Sequence, residues 1–112
     1  MEMKSAFYLE CNLAGRKYCE ANEVWEELFV GVVLTLKREK DNRYDPNAIQ
    51  VIYDSGLESF VLGYIPSKCN EELAKFLDMG WEDIFCCRIS KISPNNDYDN
   101  QIRLTIRIVK NN

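Results

Sequence analysis

The stretch DNRYDPNA, residues 41–48, concentrates side chains that can bind a polar ligand. Asn42 can donate and accept hydrogen bonds, Asp45 can accept from a terminal hydroxyl, and Tyr44 can stack on a base or a sugar. Such a set suits a hydroxyl-bearing ligand or the end of a nucleic-acid strand. The same residue types also build turns, because Asp and Asn bond to nearby backbone and Pro46 fixes φ. Chemistry alone favours this structural interpretation and leaves the binding interpretation open.

Side chains for acid–base or metal chemistry are scarce in the rest of the chain. There is no histidine, and the five cysteines are scattered without a C-x-x-C pair. Histidine is the commonest general base, and Cys/His clusters hold most structural zinc ions. The segment NNDYDN, residues 95–100, resembles half of a calcium loop but lacks its glycine and its closing glutamate, so we expect a hairpin turn. We expect no catalytic residue, no metal site and no cofactor.

The charge balance argues against bulk binding to duplex DNA. The formal net charge is −4, whereas nonspecific phosphate binding relies on many lysines and arginines. Any contact with nucleic acid therefore has to be local. Four basic residues near the C-terminus can line a stripe that follows a phosphate backbone, although such residues more often form the solvated face of a sheet; they are Arg88, Lys91, Arg103 and Arg107.

Six short strands are predicted to hold the polar turn. Alternation of apolar and polar residues, together with β-branched and aromatic residues, indicates strands at 6–13, 31–38, 48–54, 60–65, 84–92 and 101–109. In the last strand the alternation predicts that Ile102, Leu104, Ile106 and Ile108 face the core. Gly63, inside a strand, indicates a bulge or a close backbone approach.

Two helices complete the predicted elements. A short one lies within residues 21–29, with Asn22 as its N-cap, and a longer one within 67–80, with Ser67 as its N-cap and Gly80 at its end. Six strands with one short and one longer helix predict a small, mainly β domain. A curled or closed barrel is its most economical form, because a barrel hides its strand edges.

The length of 112 residues fits a single domain, which we expect to span 1–112 with its core at about 7–109. No apolar run approaches the length of about 18 residues that a membrane span needs. The N-terminal segment carries an acid and lacks the apolar core of a secretory signal. We therefore expect a cytoplasmic protein, associated with the nucleoid if it binds DNA.

Two separated motifs carry a family resemblance. The run LTLKREKDNRYDPNAIQVIYDSG is followed in the right order by LGYIPSKCNEELAKFLDMG, and AGRKYCEA lies upstream. From about residue 7 to about 109 the chain resembles the HIRAN domain. The resemblance implies a small six-stranded OB-like or SH3-like β-barrel with two α-helices packed on it.

The resemblance also implies a function without catalysis. In eukaryotic proteins that combine this domain with a Swi/Snf-type motor, it captures the 3′ end of single-stranded DNA and reads the free 3′-hydroxyl. The motif positions that match in this chain are Lys17, Tyr18, Asn42, Tyr44, Asp45 and Tyr64. By this resemblance Asp45 accepts from the 3′-hydroxyl, Lys17 contacts a phosphate and the tyrosines stack. The implied partners are a single-stranded DNA 3′ end and a protein that takes part in DNA processing.

The chain departs from the family pattern at two positions, and the first departure supports a rival interpretation. Cys19 stands where the family has the second of two adjacent aromatic residues, and Tyr64 stands where the eukaryotic DNA binder has a histidine. The alternative is a protein-interaction or accessory domain that retains the fold but has lost DNA binding. The sequence pI of about 4.9 also favours this alternative.

Overall fold

The computed structural model describes residues 3–111, with side chains from 4 to 110. Its strands are β1 (Met3–Asn12), β2 (Val33–Arg38), β3 (Ile49–Asp54), β4 (Ser59–Tyr64), β5 (Phe85–Ile92) and β6 (Ile102–Asn111). One α-helix, α1 (Glu71–Asp78), lies between β4 and β5. Short 3₁₀ segments occupy Arg16–Tyr18, Ala21–Glu27, Ser67–Cys69, Glu82–Ile84 and Tyr98–Asn100. The predicted mainly β class with six strands is confirmed.

The six strands form one antiparallel sheet in the order β1-β6-β5-β2-β3-β4. The sheet curls until its two edges meet just beyond β1, where Ala14 and Tyr64 exchange two backbone hydrogen bonds of 2.8 Å. Among residues 3–111 this bridge is the one pairing that joins the two edges, so the barrel is OB-like but is not closed along its length. The bridge brings the loop after β1 against the end of β4.

The core lies inside the curl and under α1. The alternation predicted for β2 is confirmed, because Leu34 is buried while Val33 and Lys37 are exposed. The prediction for β6 is correct for three of its residues but wrong for Ile108, which is 37% exposed. Ile108 pairs with Phe85, the first residue of β5, so it lies at the end of the neighbouring strand and beyond the core.

Gly63 makes the close backbone approach that its position predicted. A Cβ atom there would lie 2.5 Å from the carbonyl oxygen of Ala14 and 2.8 Å from a side-chain carbon of Leu13. The β3–β4 ladder also has an irregularity beside it, where the register shifts between Val51 and Ile52. A side chain at 63 would therefore force the loop after β1 away from β4.

Both predicted N-caps are wrong. Residues Ala21–Glu27 form 3₁₀ turns interrupted by non-helical backbone at Val24, and the Asn22 side chain accepts a hydrogen bond from Arg16 instead of capping. Ser67 is the first residue of a 3₁₀ turn that follows the extended backbone of Pro66, and α1 starts only at Glu71, with Asn70 at its N-cap position.

The predicted end of the longer helix is confirmed. Gly80 has a φ of +82° and donates its N–H to the carbonyl of Leu77, as a glycine that follows a helix commonly does. The predicted hairpin turn is also confirmed, since residues 93–101 join β5 to β6. No helix in the described part of the chain is both long and apolar enough to cross a membrane.

Candidate nucleic-acid interface

The candidate turn, residues 39–48, connects β2 to β3 and is ordered by its own polar side chains. Asn42 Oδ1 accepts the backbone N–H groups of Tyr44 and Asp45, each at 2.8 Å. Asp45 Oδ1 accepts the N–H of Asn47 at 2.9 Å. These are the bonds that the structural interpretation of the turn predicts. They leave Tyr44 pointing into solvent with 93% of its surface exposed.

Glu39 is the acceptor that connects the turn to β3 and β4. Its Oε1 accepts from Asn42 Nδ2 at 2.7 Å and from the Tyr64 hydroxyl at 2.8 Å, and its Oε2 accepts from Gln50 Nε2 at 2.8 Å. Burial, followed by the hydrogen bond to Glu39, raises the pKa of Tyr64. The Tyr64 side chain is therefore a neutral phenol at pH 7, and its hydroxyl already donates a hydrogen bond to Glu39.

Asp45 ties the turn to the segment that precedes α1. Asn70 donates from Nδ2 to Asp45 Oδ2 at 2.8 Å and is only 1% exposed. Each carboxylate oxygen of Asp45 thus receives one hydrogen bond from within the protein. Each oxygen also keeps a second lone-pair site, and Asp45 is half-buried, so its carboxylate can accept one further donor.

Arg38 holds the base of the turn against the end of α1. Its guanidinium donates to the carbonyl oxygens of Ala48 at 2.6 Å and Pro46 at 2.9 Å, and it forms an ion pair with Asp78 at 2.9 Å. The hydrogen bond from Arg38 lowers the pKa of Asp78. Arg38 therefore fixes the base of the turn, because it binds both the backbone carbonyls of the turn and Asp78 at the end of α1.

The upstream loop, residues 14–20, directs two predicted binding residues outward and one arginine inward. Arg16 is 3% exposed, with its guanidinium carbon 4.4 Å from the Trp25 ring centroid and 4.8 Å from that of Tyr98. Burial lowers the pKa of Arg16. Lys17 and Tyr18 point to solvent, and the Lys17 ammonium lies 5.9 Å from the Tyr18 ring centroid.

The upstream loop and the candidate turn meet at Tyr64. The loop pairs with Tyr64 through Ala14, and the Tyr64 hydroxyl reaches Glu39 at the start of the turn. Burial, and then the charges of Glu20 and Glu39, raise the pKa of the Cys19 thiol, so Cys19 also lies near this junction.

The six predicted residues consequently form two groups that Tyr64 joins. Asn42, Tyr44 and Asp45 lie on the candidate turn. Lys17 and Tyr18 line a depression of about 520 Å³ together with residues of the β5–β6 connection, which are Asn96, Asp97, Tyr98, Asp99 and Gln101. Neither Tyr44 nor Asp45 lines that depression. The six residues thus form an open surface, with Tyr18 exposed on one side of Tyr64 and Tyr44 exposed on the other.

Sequence reasoning did not identify three residues that position this surface. Glu39 lies in the charge run KREKD and has no local signal that distinguishes it from its neighbours. Asn70 directly precedes α1 and belongs to a residue type common at N-caps, yet its side chain bonds to Asp45. Arg16 is the third residue. Its aromatic partners, Trp25 and Tyr98, lie 9 and 82 positions further along the chain, so no local pattern indicates them.

Solved structures share the fold of this chain, and one family model matches its sequence. A family model described as the HIRAN domain matches residues 6–109. A crystal structure of a protein from Lactobacillus plantarum has a TM-score of 0.79 at 22% identity, covering 98% of this chain and 100% of that one. The crystal structure of the HIRAN domain of human HLTF has a TM-score of 0.65 at 18% identity, covering 94% of this chain and 78% of that one. No curated protein matches at a significant level.

Proposed function

Because the chain belongs to the HIRAN domain family, whose members are binding modules for nucleic acid, we propose that it recognises single-stranded DNA at a free 3′-hydroxyl end. The observation that carries the proposal is the arrangement of Tyr44 and Asp45. A tyrosine that is 93% exposed is followed directly by a carboxylate held by Asn47 and Asn70. A stacking surface beside a fixed acceptor suits a terminal nucleotide, whose sugar hydroxyl lies next to its base.

In the proposed complex the terminal base stacks on Tyr44 and the 3′-hydroxyl donates to Asp45. A further base stacks on Tyr18, and Lys17 contacts the intervening phosphate. Asn42 holds the backbone of Tyr44 and Asp45, so it acts on the ligand by positioning these two residues. The Tyr64 hydroxyl bonds to Glu39, so it can donate to a phosphate only by giving up that bond.

Stacking should supply most of the affinity. Aromatic stacking on single-stranded bases contributes about 1–3 kcal/mol per base. Electrostatic binding scales with the number of phosphates neutralised, at a salt slope of about −0.7 per contact for single strands. With Lys17 as the one lysine among the six residues and a net charge of −4, the site should have a shallow salt dependence.

A second candidate function is an accessory domain that binds a protein partner. The hydrogen bonds of Asp45 favour this alternative, because both oxygens of its carboxylate already accept a hydrogen bond within the protein. Cys19, which provides no aromatic ring beside Tyr18, favours it as well. Under this alternative the turn exists to stabilise the fold.

Fluorescence anisotropy separates the two functions. Wild-type protein is titrated at low salt against a labelled ten-nucleotide strand that ends in either a 3′-hydroxyl or a 3′-phosphate. We expect wild-type protein to bind the strand with the free hydroxyl more tightly. Asp45→Asn keeps an acceptor but removes the charge, and we expect this variant to lose the preference. Absence of binding by folded wild-type protein would leave the accessory function. Equal affinity for both ends would show that the domain binds single strands without reading the 3′-hydroxyl.

Tyr44 provides the cleanest substitution for the same assay. Tyr44→Ala removes a side chain that is almost fully exposed, so folding should be unaffected. We expect an affinity loss of about 5- to 150-fold, which corresponds to one stacked base. Leu57→Ala is the matched control, because Leu57 is 96% exposed on the β3–β4 turn, and it should bind like the wild type.

A further inference from the structure

The convex side of the sheet, formed by β1, β6, β5 and β2, carries a row of basic side chains. The residues are Arg107 opposite Cys86, Arg88 opposite Thr105, and Lys91 opposite Arg103. Their neighbours along the strands, such as Cys87, Ile89, Leu104 and Ile106, are buried in the core. The alternation of the strands, together with the register shift between Ile89 and Lys91, therefore places all four basic residues on one face, which we call the outer face.

Three of these cations are not neutralised by a carboxylate. Arg103 pairs with Glu10. Arg107 instead donates to the hydroxyl of Ser5 at 2.6 Å, and Arg88 donates to the carbonyl oxygen of Gly31 at 2.9 Å. Within residues 4–110, neither Arg88, Arg107 nor Lys91 has an acidic group within 4.0 Å. On a chain whose net charge is −4, this local excess of positive charge is selective for a polyanion.

Exposed apolar side chains lie directly beside Arg107 and Arg88. Phe7 pairs with Arg107 across β1 and β6 and is 59% exposed. Val33 pairs with Arg88 across β2 and β5 and is 55% exposed. A phenyl ring next to a guanidinium offers a stacking surface for a base and a donor for the adjoining phosphate.

We propose that the outer face is a second binding surface, for single-stranded nucleic acid, with Phe7 stacking a base and Arg88, Lys91 and Arg107 contacting phosphates. A single strand is favoured over a duplex because only unstacked bases present a free face to an aromatic ring. Four-stranded sheets with exposed aromatic residues bind single strands in this manner in other folds. The surface requires no free 3′ end, so it does not depend on the function proposed for Tyr44 and Asp45.

A strand blocked at its 3′ end tests the proposal independently of the turn. The probe is a labelled oligothymidylate of 20 nucleotides with a 3′-phosphate, titrated by anisotropy over a series of KCl concentrations. Arg88→Gln/Arg107→Gln is expected to lower the slope of log K against log[salt] by about 1.4, which is about 0.7 for each lost phosphate contact. Phe7→Ala is expected to weaken binding by about 5- to 150-fold.

Lys68→Gln/Lys75→Gln is the matched control, because both lysines are exposed on the segment around α1 and its charge change is the same. This control variant should keep the wild-type slope of log K against log[salt]. The proposal is overturned if wild-type protein does not bind the blocked strand, or if the arginine variant binds it as the wild type does. It is also overturned if blunt duplex DNA or polyglutamate of equal charge displaces the strand as well as unlabelled single strand does. Thermal unfolding of each variant confirms that it is folded.

Discussion

Asn70 donates a hydrogen bond of 2.8 Å to Asp45, so the candidate turn is fastened to the residue that precedes α1. The two residues lie 25 positions apart, and Asn70 is almost fully buried. The Asn70 carbonyl also accepts the N–H of Ala74 in the first turn of α1. The orientation of the Asp45 carboxylate is therefore set by the helix as well as by the turn.

Asn70→Ala should destabilise the protein. The substitution removes the donor to Asp45 and leaves a small void in a buried position, so we expect a loss of about 1–3 kcal/mol in the free energy of unfolding. Urea denaturation measures this loss. Lys68→Ala, an exposed neighbour, is expected to stay within about 0.5 kcal/mol of the wild type. An unchanged urea midpoint for Asn70→Ala would show that the hydrogen bond contributes nothing.

Gly63→Ala should separate the upstream loop from β4. The added Cβ would lie 2.5 Å from the Ala14 carbonyl oxygen, and overpacking of this kind costs about 1–3 kcal/mol or more. Hydrogen exchange should show lost protection at the amides of Ala14 and Tyr64 in particular. Gly56→Ala is the comparison, because its φ of +95° makes it strained while no atom lies within 4 Å. It should lower stability yet keep those two amides protected, and equal protection in both variants would refute the prediction.

The stacking of Arg16 on Tyr98 should appear as a coupling energy. In a double-mutant cycle with Arg16→Met and Tyr98→Leu, we expect coupling of about 0.5–2 kcal/mol from urea denaturation, since the guanidinium lies 4.8 Å from the Tyr98 ring centroid. The parallel cycle uses Lys37→Met with Tyr98→Leu. Lys37 is exposed on β2, whereas Tyr98 lies in the β5–β6 connection beside the upstream loop, so this cycle should be additive within about 0.3–0.5 kcal/mol. Additivity in both cycles would contradict the role of Arg16.

Tyr64→Phe should change how stability depends on alkaline pH. The folded-state pKa of Tyr64 is raised above its ordinary value of 10.0, mainly by burial and then by the bond to Glu39. The folded protein therefore holds this proton more tightly than the unfolded chain, and the resulting stabilisation is complete below pH 10. It is lost as pH rises through the folded pKa.

Urea denaturation at several pH values from 7 to 11 measures this difference. At pH 7 the variant should be less stable by about 1–2 kcal/mol, because the hydrogen bond to Glu39 is gone. Above pH 10 the gap between the two proteins should narrow. Tyr44→Phe is the control, since the Tyr44 side chain is 93% exposed, and this variant should match the wild type at every pH. A gap for Tyr64→Phe that stays constant to pH 11 would contradict the raised pKa.

Regular local patterns predicted most of the fold correctly. The strand from Val33 to Arg38 could be predicted from its alternation, because Leu34 enters the core and Leu36 packs against it. Gly63 was informative because few other reasons place a glycine inside a strand. Ile108 was misassigned because the alternation continues beyond the point where β5 begins, and a pattern along one strand does not show where its neighbour ends.

Contacts that are distant in sequence decided the remaining features. Asn22 has the type and position of an N-cap, but Arg16 uses its side-chain oxygen as a hydrogen-bond acceptor. Ser67 lost the same role because residues Ser67–Cys69 form a separate 3₁₀ turn, in which Cys69 donates to the Pro66 carbonyl, and α1 starts only at Glu71. Glu39 could not be selected from its charge run, because Tyr64, the partner that gives it a role, lies 25 residues away.

An NMR titration tests the location of the proposed 3′-end site most directly. Uniformly ¹⁵N-labelled Arg88→Gln/Arg107→Gln protein, in which the outer face is weakened, is titrated with a trinucleotide that carries a free 3′-hydroxyl. Binding of the 3′ end beside Tyr44 and Asp45 predicts shift changes concentrated at amides of the upstream loop (14–20), the candidate turn (39–48) and Tyr64, with the changes on the turn reduced by a 3′-phosphate. Shifts that are absent at Tyr44 and Asp45, or that concentrate elsewhere in the protein, would contradict it.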